Sequence, residues 1–449
     1  EMCIRDRGEG MAFEQAKTYG NVTGTGRQIY EFVELMYPIC RSITGQGVRD
    51  TLEMIGEKIP LTIHEVPTGT RVFDWEVPRE WNIADAYVKN SKGEKVIDFK
   101  RSNLHVVSYS VPVDATMTLS DLKKHLHTIE EQPDYIPYRT SYYSEGWGFC
   151  IRYNQFKGLP EDNYQILIDS SLEEGVLNYG EYSIAGDSEE EILLYTHICH
   201  PSLCNDNLSG LATLTYLAKM LADQELRYSY RFVFAPGTIG SITWLSLNEQ
   251  ILSKIKHGLV VALVGDSGKL NYKRNRNSSS EIDRVVSKAL ADTKVDFEVL
   301  EFSPYGYDER QFCSPGINLD VGRLTRTPNS CYPEYHTSAD NLDFIKADKL
   351  EETLQALLQI VNILDNNRTY LNTSPKCEPQ LGRRGLYDKT GGKKNVERNA
   401  LASLWILNQS DGMHSLLDIA MKSGLHFDMI NDAARELVNC GLLKSLSDV

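Results

Sequence analysis

Two imidazoles and a carboxylate stand close together in Tyr195-Thr196-His197-Ile198-Cys199-His200-Pro201-Ser202-Leu203-Cys204-Asn205-Asp206-Asn207. Imidazole nitrogen and carboxylate oxygen are the ligands Zn²⁺ takes when it keeps a position open for water, so the stretch has the composition of a metal site. The blander reading is a strand-to-helix turn whose histidines hydrogen-bond backbone, and the usual H-E-x-x-H signature is absent. Two distant segments offer the same chemistry. Asp266 closes the run Leu259-Val260-Val261-Ala262-Leu263-Val264-Gly265, and His336 stands in the loop Tyr332-Pro333-Glu334-Tyr335-His336.

The elements that must position these groups are legible in the apolar pattern. Ile192, Leu193 and Leu194 make the continuous run of a central strand, and a helix opening near Asn207 brings Asp206 back to that strand's carboxyl end. Leu259 to Val264 is a second such strand, which delivers Asp266 to the same edge. The loop of His336 precedes an amphipathic helix from Leu350 to Leu364. In open α/β sheets that carboxyl edge is where ligands bind.

In order and type these segments resemble the zinc aminopeptidase superfamily of co-catalytic exopeptidases. They resemble more closely its bacterial polysaccharide-biosynthesis branch, with an aminopeptidase-like domain and a C-terminal winged helix. The superfamily's H-x-D, D-N-x-S-G, strand-end Asp, S-D-H-x-x-F and Y-H-T-x-x-D are met here by His197-Ile198-Cys199, Asp206-Asn207-Leu208-Ser209-Gly210, Asp266, Tyr307-Asp308-Glu309-Arg310-Gln311-Phe312 and Tyr335-His336-Thr337-Ser338-Ala339-Asp340. The resemblance implies an α/β fold: a three-layer zinc-exopeptidase-like domain with a mixed central sheet. It implies zinc, with His197, His200, Asp206, Asp266 and His336 as the candidate ligands and Asp206 as the carboxylate shared between metals. His197 fits H-x-D while His200 sits closer to Asp206, and both stay open. Asp308, Arg310 and Tyr335 are the candidate substrate contacts, with Glu309 as a further catalytic candidate; a solvated loop is the alternative for residues 308–310. Cys199, in the Asp position of H-x-D, is read as a buried thiol.

The departures matter as much. Phe234-Ala235-Pro236-Gly237-Thr238-Ile239-Gly240 occupies the place of E-E-x-G, so Gly237 stands where the general base should be and Thr238 where a second metal-binding glutamate should be. One zinc ion rather than two is therefore expected. General-base catalysis typically contributes about 10²–10⁴-fold, so hydrolysis is expected to be slow or absent, and Gly237→Glu to restore about that factor. The implied reaction is hydrolysis of an amino-terminal peptide bond or a small amide, linked through the family to surface-polysaccharide synthesis. The competing readings are an inactive metal-binding scaffold and a DNA-associated regulator.

A chain of 449 residues predicts two to three domains. Lys plus Arg number 47 against 62 Asp plus Glu, a net charge of −15, which argues against a general nucleic-acid or membrane-surface role. No apolar run approaches the roughly 18 residues that span a bilayer. Nine scattered cysteines form no disulfide framework and point to a reducing, cytoplasmic compartment. Residues 1–19 lack an apolar leader and read as an extraneous segment, with Met11 as the natural start.

The expected catalytic domain is discontinuous, 20–73 and 164–372, and is interrupted by a β-rich subdomain at 74–163 where short strand-like runs are dense in Tyr and Trp. Interlocking aromatics in a small core, or a face for sugar or peptide, both account for that density. A polar linker containing Thr390-Gly391-Gly392-Lys393-Lys394 then falls within a winged helix at 375–449, with helical patterns at Glu397–Leu407, Met413–Ser423 and Asp428–Asn439. From Pro375 onward ten Lys or Arg face nine Asp or Glu, a net of +1, and the third pattern carries Asp428, Asp432 and Glu436 against Arg435 alone. Phosphate contact needs clustered positive charge. The expected partners are thus a peptide or small-molecule substrate and a second copy of the chain, joined through the winged helix or the β subdomain, with no nucleic acid and no membrane.

Overall fold

The computed structural model describes residues 22–386 and 394–446. The expected leader and the centre of the polar linker lie outside them. The chain divides into two compact units, Val22–Asn367 and the part from Arg368 onward.

Strand β3 (Glu191–His197) is buried at every one of its residues, the continuous apolar run of a strand covered on both faces. It lies in a mixed sheet of eight: β1 (Thr62–Pro67), β2 (Val176–Ile184), β3, β4 (Ser229–Ala235), β5 (Ile255–Val261), β6 (Leu270–Lys273), β7 (Phe297–Leu300) and β8 (Val321–Thr325). The spatial order is β1-β2-β4-β3-β5-β8-β6-β7. The central four, β4, β3, β5 and β8, are parallel, so their carboxyl ends share one edge; β2 runs antiparallel to β4, and β6 to β8. Helices Thr25–Met36, Gly210–Leu221 and Glu281–Thr293 all pack on Ala347–Asn366. Buried Leu350, Leu354, Leu357, Val361 and Leu364 give that last helix its apolar stripe.

The inserted sheet has four antiparallel strands, in the order Lys95–Asp98, Glu80–Lys89, Asn163–Glu173, Val113–Thr118. It runs past the expected end at 163. Tyr164, Ile166 and Ile168 alternate inward, and Ile166 and Ile168 pair across both neighbours, so Asn163–Glu173 is the middle of the insert rather than the resumption of the main sheet. One apolar core is continuous through both sheets, taking in Val88 and Ile166 as well as Leu193 and Val260.

In the C-terminal unit, helices Lys394–Gln409, Leu416–Ser423 and Phe427–Asn439 accompany a three-stranded sheet ordered Asp411–Ser415, Thr369–Asn372, Leu443–Ser445. Thr369–Asn372 is its central strand, so this unit begins before the expected 375. The helix expected from Met413 starts at Leu416. Gly412, at φ 87°, belongs to a strand, and Ser415 caps the helix with Asp418 completing the reciprocal box. Among the described residues no helix is long and apolar enough to cross a membrane.

Candidate metal centre

His197 is the last residue of β3, at the shared carboxyl edge. Beyond it the chain makes an irregular turn, Cys204–Ser209, in which Asp206 and Asn207 leave helical geometry, before the helix Gly210–Leu221 begins. That turn is pinned from several sides. The backbone amides of Asn205 and Asp206 donate to the two oxygens of Asp340, at 2.6 and 2.9 Å. Asn207 donates to Thr196 Oγ1 and to His197 O, and Asn205 Oδ1 accepts from Gly265 N. Asp206 is thereby held fully buried with its carboxylate facing the strand end.

Three imidazoles converge on that carboxylate. His197 Nε2 lies 2.7 Å from Oδ1, while His336 Nε2 lies 2.9 Å and His200 Nε2 3.8 Å from Oδ2. Ligand atoms of His197, His200 and Asp206 all fall within 4.8 Å of one another. His197 and His200 both face Asp206. Burial pushes the Asp206 carboxyl up, but His200 and the bonds from His197 and His336 outweigh it and hold it well below the usual range. Burial drives His200 down to about 3, so it is neutral, the form metal ligation requires. The donor set of nitrogen and carboxylate oxygen suits zinc.

The walls come from segments far apart in the chain. Tyr307 donates from its hydroxyl to Asp206 Oδ2 at 2.9 Å and meets the Tyr335 hydroxyl, while Tyr335 stacks on His336 with ring centroids 3.9 Å apart. Tyr138, from the insert, packs edge-on against His336 and tilted against His200. Its backbone amide donates to His336 O, and Ser338 N donates to Ile136 O, so the insert fixes the loop in which His336 takes a φ of 54°. Arg41, fully buried, donates to the carbonyls of His200 and Pro201 and sets the turn after β3. Neither Tyr138 nor Arg41 carries a sequence signal: each sits in an ordinary-looking segment and acts only through the tertiary approach.

Asp266 is not brought into the cluster. Its carboxylate accepts from Asn205 Nδ2, Thr327 Oγ1 and Gly268 N, so it braces the turn that carries Asp206. Glu309 is likewise unavailable as a catalytic group, because Lys273 Nζ at 2.9 Å and Arg323 at 3.3 Å enclose it, buried beneath the Tyr307 loop. Arg310 is exposed and spends its Nε on Tyr307 O. Cys199 is the buried thiol expected.

Asp308 is the carboxylate that does face the site. Its Oδ1 accepts from Ser241 Oγ at 2.6 Å and Tyr195 Oη at 3.2 Å, whereas Oδ2 is buried without a partner among the described residues. Burial raises its pKa to about 6. A Cβ placed on Gly237 would lie 3.1 Å from that Oδ2 and 3.2 Å from His197 Cβ. Position 237 thus borders both the unpaired carboxylate and the first histidine.

The mixed α/β fold resembles that of a zinc aminopeptidase. The zinc aminopeptidase BSAP from Bacillus subtilis superposes with a TM-score of 0.55 at 12% identity, covering 75% of this chain and 94% of that one. The chain belongs to the family described as a domain of unknown function, DUF4910, over residues 30–367, and a winged helix-turn-helix model matches residues 368–445. A relative from Clostridium acetobutylicum, 57% identical over 94% of this chain and 98% of its own, is provisionally named a polysaccharide biosynthesis protein with an aminopeptidase-like domain. A crystal structure from the same organism, provisionally described as a peptidase, has a TM-score of 0.90 at 56% identity, with 95% and 98% coverage.

Proposed function

We propose that the chain is a zinc-dependent hydrolase of an amino-terminal peptide bond or a related small amide, serving surface-polysaccharide synthesis. The observation that carries the reading is the convergence of His197, His200 and His336 on the single buried carboxylate of Asp206. These four residues would hold one ion. Bound there, zinc would supply Lewis acidity, polarising a carbonyl and making water more acidic. The chain's own groups do the rest. Tyr138, Tyr335 and Tyr307 line the approach and exclude water from one side. Asp308 takes over the proton-accepting work that Gly237 cannot perform: its Oδ2 is free, it lies beside position 237, and Ser241 and Tyr195 fix its other oxygen.

The missing glutamate favours a second reading, a scaffold that binds metal without turning over substrate. Elemental analysis of the purified chain, paired with a screen of aminoacyl amides and acylated amino sugars, separates the two. Metal with turnover supports the hydrolase; metal without turnover on any member supports the scaffold; absence of metal sinks both. For the winged helix we propose a role in self-association rather than DNA contact, on the acidity of Phe427–Asn439.

A further inference from the structure

Away from the metal cluster, the short hairpin of Arg71–Val72 and Trp75–Glu76 raises an aromatic cluster into solvent. Phe73, Trp75 and the neighbouring Tyr143 are 48%, 45% and 58% exposed, and the Trp75 and Tyr143 rings lie 5.5 Å apart at 59°. Phe73 takes a φ of 57°, a left-handed backbone that a bulky side chain adopts only at a cost. Burial does not repay that cost here, and such outliers concentrate where ligands are held.

The hairpin forms one wall of a cleft of about 370 Å³, near the small end of ligand pockets. Ile242 and Leu245 supply the apolar floor, and Asp74, Glu249 and Gln311 stand among the aromatics. The opposite wall is made by elements of the metal centre. Helix Ile239–Leu247 carries Ser241, the donor to Asp308, and Gln311 follows Asp308 in the turn Glu309–Phe312.

We propose that this cleft is a subsite for an uncharged hexose-type saccharide. Aromatic rings offer flat apolar surface to the C–H face of a sugar, while carboxylates and an amide accept and donate to its hydroxyls. Asp74 and Glu249 disfavour a uronate or phosphate. They also disfavour a second copy of the chain docked on the same patch, which would set carboxylate against carboxylate in a molecule already at −15. The proposal rests on the polysaccharide side of the proposed function and is independent of hydrolysis.

The test is direct binding by the full-length protein, read by tryptophan fluorescence and saturation-transfer NMR. Maltotriose, cellotriose and mannotriose are the uncharged probes, and trigalacturonate is the charged counterpart. None contains an amide bond, so a failure of the hydrolase reading leaves this measurement intact. At least one uncharged probe should bind, and more tightly than trigalacturonate. Trp75→Ala should weaken it about tenfold with an unchanged circular-dichroism spectrum, and Phe73→Ala, at the other aromatic lining the cleft, should weaken it in the same direction if the first variant fails to fold. Binding by none of the three, a preference for trigalacturonate, or unaltered binding by the correctly folded variants would overturn the proposal. So would a dimer in sedimentation equilibrium that Trp75→Ala dissociates, which would assign the cluster to a self-interface.

Discussion

Gly237 and Asp308 are complementary: the side chain that one lacks would point at the carboxylate of the other, with a Cβ on Gly237 only 3.1 Å from Asp308 Oδ2. Two segments 71 positions apart in the chain thus meet at one point beside His197, and the carboxyl function absent from the first is present on the second.

Asp308→Asn should lower turnover by about 10²–10⁴-fold while leaving zinc content unchanged. With its pKa raised by burial to about 6, Asp308 accepts a proton only above that pH, so kcat/KM in the parent should climb through pH 6. The variant should lose that limb. The stability linkage has the opposite sense: a folded pKa above the ordinary 3.8 gives stability that is present at low pH and lost as pH rises through 6. The variant's Tm relative to the parent should therefore improve between pH 4 and pH 7.

Gly237→Glu places a second carboxylate against the first. Neighbouring carboxylates titrate as a pair with one pKa raised, so the acidic limb should move above 6. A rise of 10²–10⁴-fold with an unmoved limb would return the proton-accepting role to position 237 alone.

Zinc should be found at close to one per chain, and Asp206→Ala should abolish it. Asp266→Asn should keep it at saturating zinc yet unfold more readily, because its carboxylate holds Asn205 and Thr327 rather than an ion. Loss of metal in both variants would put Asp266 back among the ligands.

Glu309→Gln should destabilise the fold by about 3–5 kcal/mol, since Lys273 and Arg323 would share a buried site without their carboxylate. Denaturant titration measures it. A change below 1 kcal/mol would show the cluster to be solvated.

The C-terminal unit should give no submicromolar, salt-sensitive shift of duplex DNA at moderate salt, because Asp428, Asp432 and Glu436 lie along Phe427–Asn439 with Arg435 as its lone cation.

The strands were readable because β3 contains the apolar run Ile192–Tyr195 and β5 ends in Leu259–Val261, although the apolar run outlasts β5 by three residues, and the histidines because a strand end followed by a turn gives His and Asp nowhere else to go. Asp266 misled for a related reason: a strand-end carboxylate has the same local pattern whether it binds an ion or braces a neighbouring turn, and only Asn205 and Thr327 decide. Glu309 was ambiguous until Lys273 and Arg323, on two other strands, closed around it. The insert's true extent was hidden because Tyr164, Ile166 and Ile168 would suit either sheet. Tyr138 had no local mark at all, since its place depends on pairing with a loop at the far end of the unit.

That pairing sets an order of events during synthesis. Ile136 and Ser338 touch across a sequence separation of 202, and His336 is held by the same contact. Closing so long a loop gains nothing until both ends exist, so the centre is completed only after nearly the whole α/β unit has left the ribosome. A nascent chain halted after Asp266 would own His197, His200 and Asp206 yet lack both the third imidazole and the Asp340 carboxylate that orients the turn. Assembly of all four candidate ligands is thereby deferred to a nearly finished unit.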